Sequence, residues 1–491
     1  MKKVSLIFCF SLLFAQLAFS QKTKPNIIFI YADDMGYGEL GCYGQTKIKT
    51  PNIDQIAKEG IRFTDYYTST PVCAPSRCQL LTGTHSGHSF IRGNYELGGF
   101  PDSTERGQLP LLPNTVTIGT ELQKVGYTTG CIGKWGLGMG YSTGAPNKQG
   151  FDYYYGYYDQ KQAHNYYPTH LWENGKWDTL NNPVINVHRR LDPKTATQED
   201  FDYYKGKDFA IDKMGEKAID FVKQNKDKPF FLYLPFTIPH VSLQAPDSAV
   251  AEYIGKFPET PYYGGQGYAS TPYPLATYAA MITYMDSKVG EIMKLLKQLN
   301  IDDNTIVFFT SDNGTTFNGG VDAKFFESVG PYRGLKMDVY EGGIRMPMVA
   351  RWPGKIKPNS ETNLVAAHYD ILATLLEIGK APAVPSDGIS ILPTLLGKSK
   401  KQTSHEYLYW EYAEKGGQVA IRLGKWKGVK VNLIKNPKNK WELYDLVADE
   451  SEKKDVAAQH PDILSQFDAI VKKEHKPSHI PKWEFVDKTL N

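Results

Sequence analysis

Cys73 to Gly83 reads Cys-Ala-Pro-Ser-Arg-Cys-Gln-Leu-Leu-Thr-Gly and holds the chain's most reactive combination, a thiol with an arginine four positions on. The polar run Thr68-Ser69-Thr70-Pro71 before it places Cys73 where a loop enters a helix, and backbone amides at such a start favour bound anions. Helical spacing sets the Arg77 guanidinium beside Cys73, and a thiol next to a fixed cation is poised for reaction. Asp33-Asp34, Lys134, His240 and Asp312-Asn313 stand out in the same way, as polar groups that each follow an apolar run. Three carboxylates gathered in one site would repel by about 4 kcal/mol per close pair at an effective dielectric of about 20. A cation must sit among them, or their pKa values must rise. Carboxylate and amide oxygens without His or Cys at ligand spacing suit a hard divalent ion, Ca²⁺ ahead of Mg²⁺, and not zinc.

The elements that position these groups alternate. Pro25-Asn26-Ile27-Ile28-Phe29-Ile30-Tyr31 is an apolar run of buried-strand length that ends on the two carboxylates. Thr50-Pro51 then opens a helix that turns Ile53, Ile56 and Ala57 inward and stops at Gly60. A helix over Asn114 to Val125 leads to a strand over Tyr127 to Ile132, and one over Asp208 to Lys223 to a strand over Phe230 to Phe236. A helix over Leu275 to Leu299 leads to a strand over Thr305 to Thr310. This grammar predicts an α/β fold with a mostly parallel central sheet and helices on both faces. Asp or Asn in one loop is ordinary turn chemistry. Polar groups after the C-terminal ends of four strands instead mark the sheet edge where ligands bind in such folds.

The 491 residues are 41% hydrophobic, enough for a large core, with no repeat or low-complexity tract. Lys2-Lys3, the apolar run Val4 to Phe14 and Ala18-Phe19-Ser20 form a secretory signal over 1–20, too short for a membrane anchor. Cys9 lacks the small residues that precede a lipidated cysteine, so an exported protein, periplasmic or secreted, is expected without a membrane anchor in the mature chain. Without Lys2 and Lys3 there are 54 basic and 53 acidic residues, net +1. That balance argues against nucleic acid or a polybasic membrane surface as partner. Cys42, Cys73, Cys78 and Cys131 remain, and with Cys73 committed to chemistry no disulfide framework is expected.

Cys-x-Pro-Ser-Arg followed by Leu80-Leu81-Thr82-Gly83 resembles the signature of the formylglycine-dependent sulfatases, the arylsulfatase-like type I enzymes of the alkaline phosphatase superfamily. The resemblance covers most of Pro25 to Gly397. It implies that Cys73 is oxidised to an aldehyde, formylglycine (3-oxoalanine), by a formylglycine-generating or anaerobic sulfatase-maturating enzyme. It also implies one Ca²⁺ held by Asp33, Asp34, Asp312 and Asn313 with the converted residue 73 beside it. Gly133-Lys134-Trp135 is similar to the family's sulfate-contacting Gly-Lys-Trp, and Pro239-His240 to the element whose His protonates the leaving group. Lys336 with Tyr340-Glu341-Gly342-Gly343 matches its Lys-x-x-x-Tyr-Glu-Gly-Gly. The implied reaction is sulfate-ester hydrolysis. One hydroxyl of the aldehyde hydrate attacks sulfur, His240 protonates the departing alcohol, and the second hydroxyl expels sulfate, while Arg77, Lys134 and Lys336 supply positive charge.

One departure stands out. The family often has Lys-Trp-His, whereas Gly136 follows Trp135 here. His164, within Gln160 to Pro168, is the replacement expected to reach the space Gly136 leaves, against the plainer role of tying a tyrosine-rich loop together. The aromatics between Phe151 and Trp177 mostly pack a hairpin, with some free to stack on sugar faces. That mixture favours a sulfated carbohydrate over a phenol sulfate. His88 and Arg92, just after the signature, are further pocket candidates.

After Gly397 the pattern changes to short alternating strands over Glu406 to Tyr412, Val419 to Leu423 and Lys425 to Val431, then a helix over Asp455 to Lys473. The reading is a catalytic domain over 21–397 and a small antiparallel α+β subdomain over 398–491, with Arg422 and Lys425 on a solvated strand face. Two other readings stay open: a phosphate- or phosphonate-ester hydrolase of the same superfamily, and a glycan-binding protein with unconverted Cys73.

Overall fold

The computed structural model describes residues 24–490, so the expected export signal over 1–20 lies outside the described residues. At its centre a parallel sheet runs Thr305–Ser311, Asn26–Asp33, Phe230–Pro239, Thr128–Lys134, Tyr153–Tyr157. Antiparallel strands extend it on both sides. Met348–Arg351 pairs with Thr305–Ser311 at one edge, and His170–Glu173 and Lys176–Thr179 follow Tyr153–Tyr157 at the other. The first strand shows why the sheet is covered twice. Ile28 and Ile30 join one buried cluster with the helices Pro51–Lys58, Ala210–Asn225 and Pro274–Gln298. Ile27, Phe29 and Tyr31 join another with Cys73–Thr82, Ile118–Lys124 and Asp370–Gly379. Period-two alternation thus feeds two cores at once, each large apolar side chain contributing about 1.5–3 kcal/mol on burial.

Every expected strand of the parallel series forms, and all four run further toward the site than the apolar pattern indicated. Thr128–Lys134 carries Lys134 as its last residue, and Phe230–Pro239 stops one residue before His240. The helix expected from Asn114 starts only at Ile118, because Thr117 Oγ1 accepts the Thr120 N–H and caps it there.

The C-terminal sheet has four strands, Tyr407–Tyr412, Gln418–Leu423, Trp426–Lys430 and Glu442–Asp445, all antiparallel. The fourth was not anticipated, since its charged ends break the alternation. One face sets Leu408, Trp410 and Tyr412 against Val72 and Cys73, and the Trp410 indole N–H donates to the Thr68 carbonyl at 2.8 Å. The other packs Tyr409, Val419 and Ile421 with Phe467 and Ile470 of the helix Pro461–Glu474. With both faces covered, Arg422 is not solvated as expected. It is buried against Asp65 at 2.8 Å and Tyr67, whereas Lys425 is exposed and pairs with Asp445.

Candidate active site

Cys73 is the first residue of the helix Cys73–Thr82, whose preceding residue Val72 offers no side-chain cap. Cys73 is 3% exposed. Burial pushes its pKa up, and the nearby Lys134 and Lys336 charges do not overcome that. An unconverted Cys73 is therefore a thiol rather than a thiolate nucleophile. Arg77 does not serve it in the way helical spacing suggested. The guanidinium reaches across to Asp312 at 2.9 Å and Asp33 at 3.3 Å and donates to the Lys134 carbonyl at 3.0 Å.

The carboxylates converge as the strand ends required. Asp33 closes the strand Asn26–Asp33, and Asp34 adopts φ +65°, a left-handed turn that Asp tolerates, while its N–H donates to Asp312 Oδ1 at 3.0 Å. Lys134 Nζ lies 2.6 Å from Asp33, and Lys336 Nζ 2.7 Å from Asp34. Asn313 Nδ2 donates to Asp34 Oδ1 at 2.7 Å. Burial disfavours ionisation of all three carboxyls. At Asp33 the charges of Lys134, Arg77 and Lys336 outweigh it and hold the carboxyl well below its ordinary range. At Asp34 and Asp312 burial prevails, helped by repulsion from Asp33, and both are raised.

Two buried oxygens in this cluster, Asp33 Oδ1 and Asn313 Oδ1, accept no hydrogen bond. Orphaned buried acceptors of this kind are rare and costly, and here they sit among acidic groups, as ligands of a hard cation would. The donor set of Asp33, Asp34, Asp312 and Asn313 thus fits such an ion. Asp33, Asp34 and His240 also offer ligand-type atoms within 4.8 Å of one another. His240 Nδ1 donates to the Val241 carbonyl at 2.5 Å, which leaves Nε2 as the ring's lone pair, 3.7 Å from Asp34. Burial, then Lys336 and Lys134, push the His240 pKa far down.

His164 is not in the space beside Gly136. Gln160 takes it, packed so closely that a β-carbon on Gly136 would stand 2.8 Å from Gln160 Cγ. His164 instead stacks on His240, with centroids 5.1 Å apart and planes at 20°, and Tyr268 meets it at the same centroid distance. Asn94 lies with its amide 3.8 Å from Cys73 Sγ, and Gln160 Nε2 is 3.4 Å from Asn94 Oδ1. Gln160 and Tyr268 carry no motif, and only contact reveals them.

His88 and Arg92 are not with this group. His88 Nδ1 is 2.9 Å from Asp387, beside His85 and Glu474, and Arg92 is buried against Glu411, with donors on the Ser89, Gly87 and Lys476 carbonyls. Both tie the helix Pro461–Glu474 and the small sheet to the loop after the signature.

Comparison with known proteins identifies the family. Residues 25–381 match the model of the Sulfatase family, and 335–476 match the N-sulphoglucosamine sulphohydrolase C-terminal model. The chain is similar to N-acetylgalactosamine-6-O-sulfatase of Bacteroides thetaiotaomicron, 33% identical, with 91% of this chain and 92% of that protein covered. It is 34% identical to human arylsulfatase A, covering 82% and 74%. Its fold is similar to that of Ps i-CgsB in complex with k-i-k-neocarrahexaose, with a TM-score of 0.75, 28% identity and coverage of 92% and 94%. With the family matched across the whole parallel sheet and the carboxylate and lysine cluster at its edge, the chain belongs to the sulfatases, hydrolases of sulfuric esters within the alkaline phosphatase-like superfamily.

Proposed function

We propose that this chain is an exported sulfatase of sulfated carbohydrates that works through formylglycine at position 73, with Ca²⁺ held by Asp33, Asp34, Asp312 and Asn313. The observation that carries the reading is the position of Cys73. It is buried and unactivated as a thiol, yet it lies in the field of Lys134 and Lys336 and against the Asn94 amide. Conversion to an aldehyde hydrate gives that position one hydroxyl to attack sulfur and a second to release sulfate. A divalent cation held by Asp33, Asp34, Asp312 and Asn313 would supply a field that makes such a hydroxyl easier to deprotonate.

The remaining work falls to this chain's side chains. Arg77, Lys134 and Lys336 balance Asp33, Asp34 and Asp312, so a bound divalent ion leaves the cluster net positive and suited to an anionic ester. Arg77 stays on the carboxylates as a strut, while the two lysines face the sulfate oxygens. His240, held by Val241 through Nδ1, presents Nε2 to the departing oxygen. Burial and the two lysines disfavour its protonated form, and the negative charge of a bound sulfate favours it. Neutral His164 and Tyr268 beside it offer hydrogen bonds and a ring face to a sugar. Similarity to an N-acetylgalactosamine-6-O-sulfatase supports the carbohydrate assignment. No helix among the described residues is long and apolar enough to cross a membrane.

The test is sulfate release from a panel of sulfated sugars, with phosphate esters of the same leaving groups alongside, and intact-mass analysis of the exported protein. Turnover of sulfated sugars, with a mass about 18 Da below that of the unmodified chain, is expected. A retained thiol, or a preference for the phosphate esters, contradicts the reading.

A further inference from the structure

The rings beside His240 continue outward. His188 meets His164 edge-on, with centroids 5.7 Å apart, and Phe100 lies 3.9 Å from His188 and 5.5 Å from His164. Past them opens a cavity of about 540 Å³, whose wall includes Phe100, Asp102, Lys161, Gln162, Asn186 and His188. Phe100 and His188 in its wall touch His164, and His164 stacks on His240, so the cavity lies one layer of rings away from the place where the leaving group departs.

Three features describe what it would hold. Nε2 of His188, in the wall, is buried and takes part in no hydrogen bond, and the same holds for Nδ1 of His164 in the ring behind it, so both lack a partner. Burial keeps these imidazoles neutral, which suits hydroxyl groups better than an anion. Phe100 is 43% exposed and Val184 80%, and with Ile185 and Val187 they give the wall apolar surface beside the polar Asn186 and His188. A ring face next to unpartnered hydrogen-bonding nitrogens matches a sugar, which has apolar C–H faces and hydroxyl edges. Asp102 and Lys161 are the charged residues of the wall and cancel, which favours an uncharged sugar over a second sulfated one.

We propose that this groove holds the sugar glycosidically joined to the sulfated one, so that the preferred substrate is a sulfated oligosaccharide rather than a sulfated monosaccharide. The proposal rests on the carbohydrate reading above and extends it by one residue of the glycan. His164 serves the sulfated sugar, His188 and Phe100 its neighbour.

The experiment compares kcat/KM for a sulfated monosaccharide and for an oligosaccharide ending in the same sulfated sugar. The unaltered enzyme should favour the oligosaccharide at least tenfold. Phe100→Ala and His188→Ala should each lower kcat/KM on the oligosaccharide about tenfold more than on the monosaccharide. His188→Gln, which keeps a hydrogen-bonding group, should lose less than His188→Ala, and the melting temperature of each variant separates loss of fold from loss of contact. Equal kcat/KM on the two substrates, or equal losses on both in the variants, overturns the groove and leaves the carbohydrate reading standing. Turnover of an aryl sulfate with none of any sulfated sugar overturns both.

Discussion

Gln160 lies across the α-carbon of Gly136, with its Cγ 2.8 Å from where a β-carbon would be, and its Nε2 points to Asn94 beside Cys73. Two side-chain amides therefore occupy ground where an imidazole stands in the Lys-Trp-His pattern, and Gly136 at φ +73° has a backbone that suits glycine. Gly136→His is expected to displace Gln160 and to cost about 2 kcal/mol from backbone strain and crowding, with activity lost rather than gained. Chemical denaturation and kcat/KM measure the two effects. Wild-type stability with raised turnover would show that the space is open after all.

Cys73→Ala should abolish turnover yet melt within a few degrees of the parent, since it removes one buried sulfur from a well-packed cluster. Cys73→Ser should still bind substrate but fail at repeated turnover, because a single hydroxyl has no second one beside it to expel sulfate. Sustained turnover by the serine variant, followed as sulfate released per enzyme, would remove the hydrate from the mechanism.

Removing the metal should cost both activity and stability. A chelator is expected to lower the melting temperature, with Ca²⁺ restoring it, since an ion present at 100 times its Kd stabilises the fold by about 2.7 kcal/mol. Asp312→Asn should blunt that shift, because it removes one carboxylate from the oxygen cluster. A melting temperature indifferent to chelation, or zinc found at one per chain by elemental analysis, would count against the assignment.

His240→Ala should lower kcat on a sulfated sugar by about a hundredfold to ten-thousandfold, the usual span for a lost general acid, and much less on an activated aryl sulfate that leaves without a proton. His164→Ala should likewise hurt the sugar more than the aryl ester, through KM, because it contacts the attached group. Equal losses on both esters for His164→Ala would make it a support for His240 and no more.

The joint between the two sheets carries its own pH dependence. Burial, reinforced by Glu341, raises Glu452 to about 7, while Lys427, Arg345 and Arg422 overcome burial at Glu341 and lower it to about 2. Glu452 therefore stabilises the fold fully below its unfolded pKa of 4.5 and loses that contribution as pH rises toward 7. Glu341 stabilises above 4.5 and loses its contribution as pH falls toward 2. Between pH 5 and 8 the stability should fall by on the order of 2–3 kcal/mol at most, seen as a falling melting temperature, and Glu452→Gln should flatten that decline. A parallel decline in parent and variant would exclude Glu452 as the cause.

The parallel sheet was legible because each strand is an unbroken apolar run, and the site because Asp33, Lys134, His240 and Asp312 all fall at strand ends, where topology brings distant residues together. Arg77 shows where spacing misleads. Position i+4 put it near Cys73, but the side chain is long enough to reach the carboxylates of two other strands instead. For Arg422, alternation identified a strand without telling that both of its faces are covered. Gln160, His188 and Phe100 lie in connecting segments with no period, so only the folded chain brings them together. His88 and Arg92 follow the signature closely in sequence, yet the chain turns them toward the helix Pro461–Glu474 rather than the site.

The covering of Cys73 also constrains the order of events in the protein's biogenesis. Cys73 is 3% exposed and lies inside a cluster completed by Trp410 and Tyr412, which are over three hundred residues further along the chain. An enzyme that oxidises this sulfur must take the surrounding segment in an open form, so the proposed conversion has to happen before the C-terminal sheet docks. Folding then acts as a deadline. Any molecule that closes with its thiol intact is sealed as a stable protein without the aldehyde, and mixtures of the two forms should persist with no interconversion until the chain is unfolded.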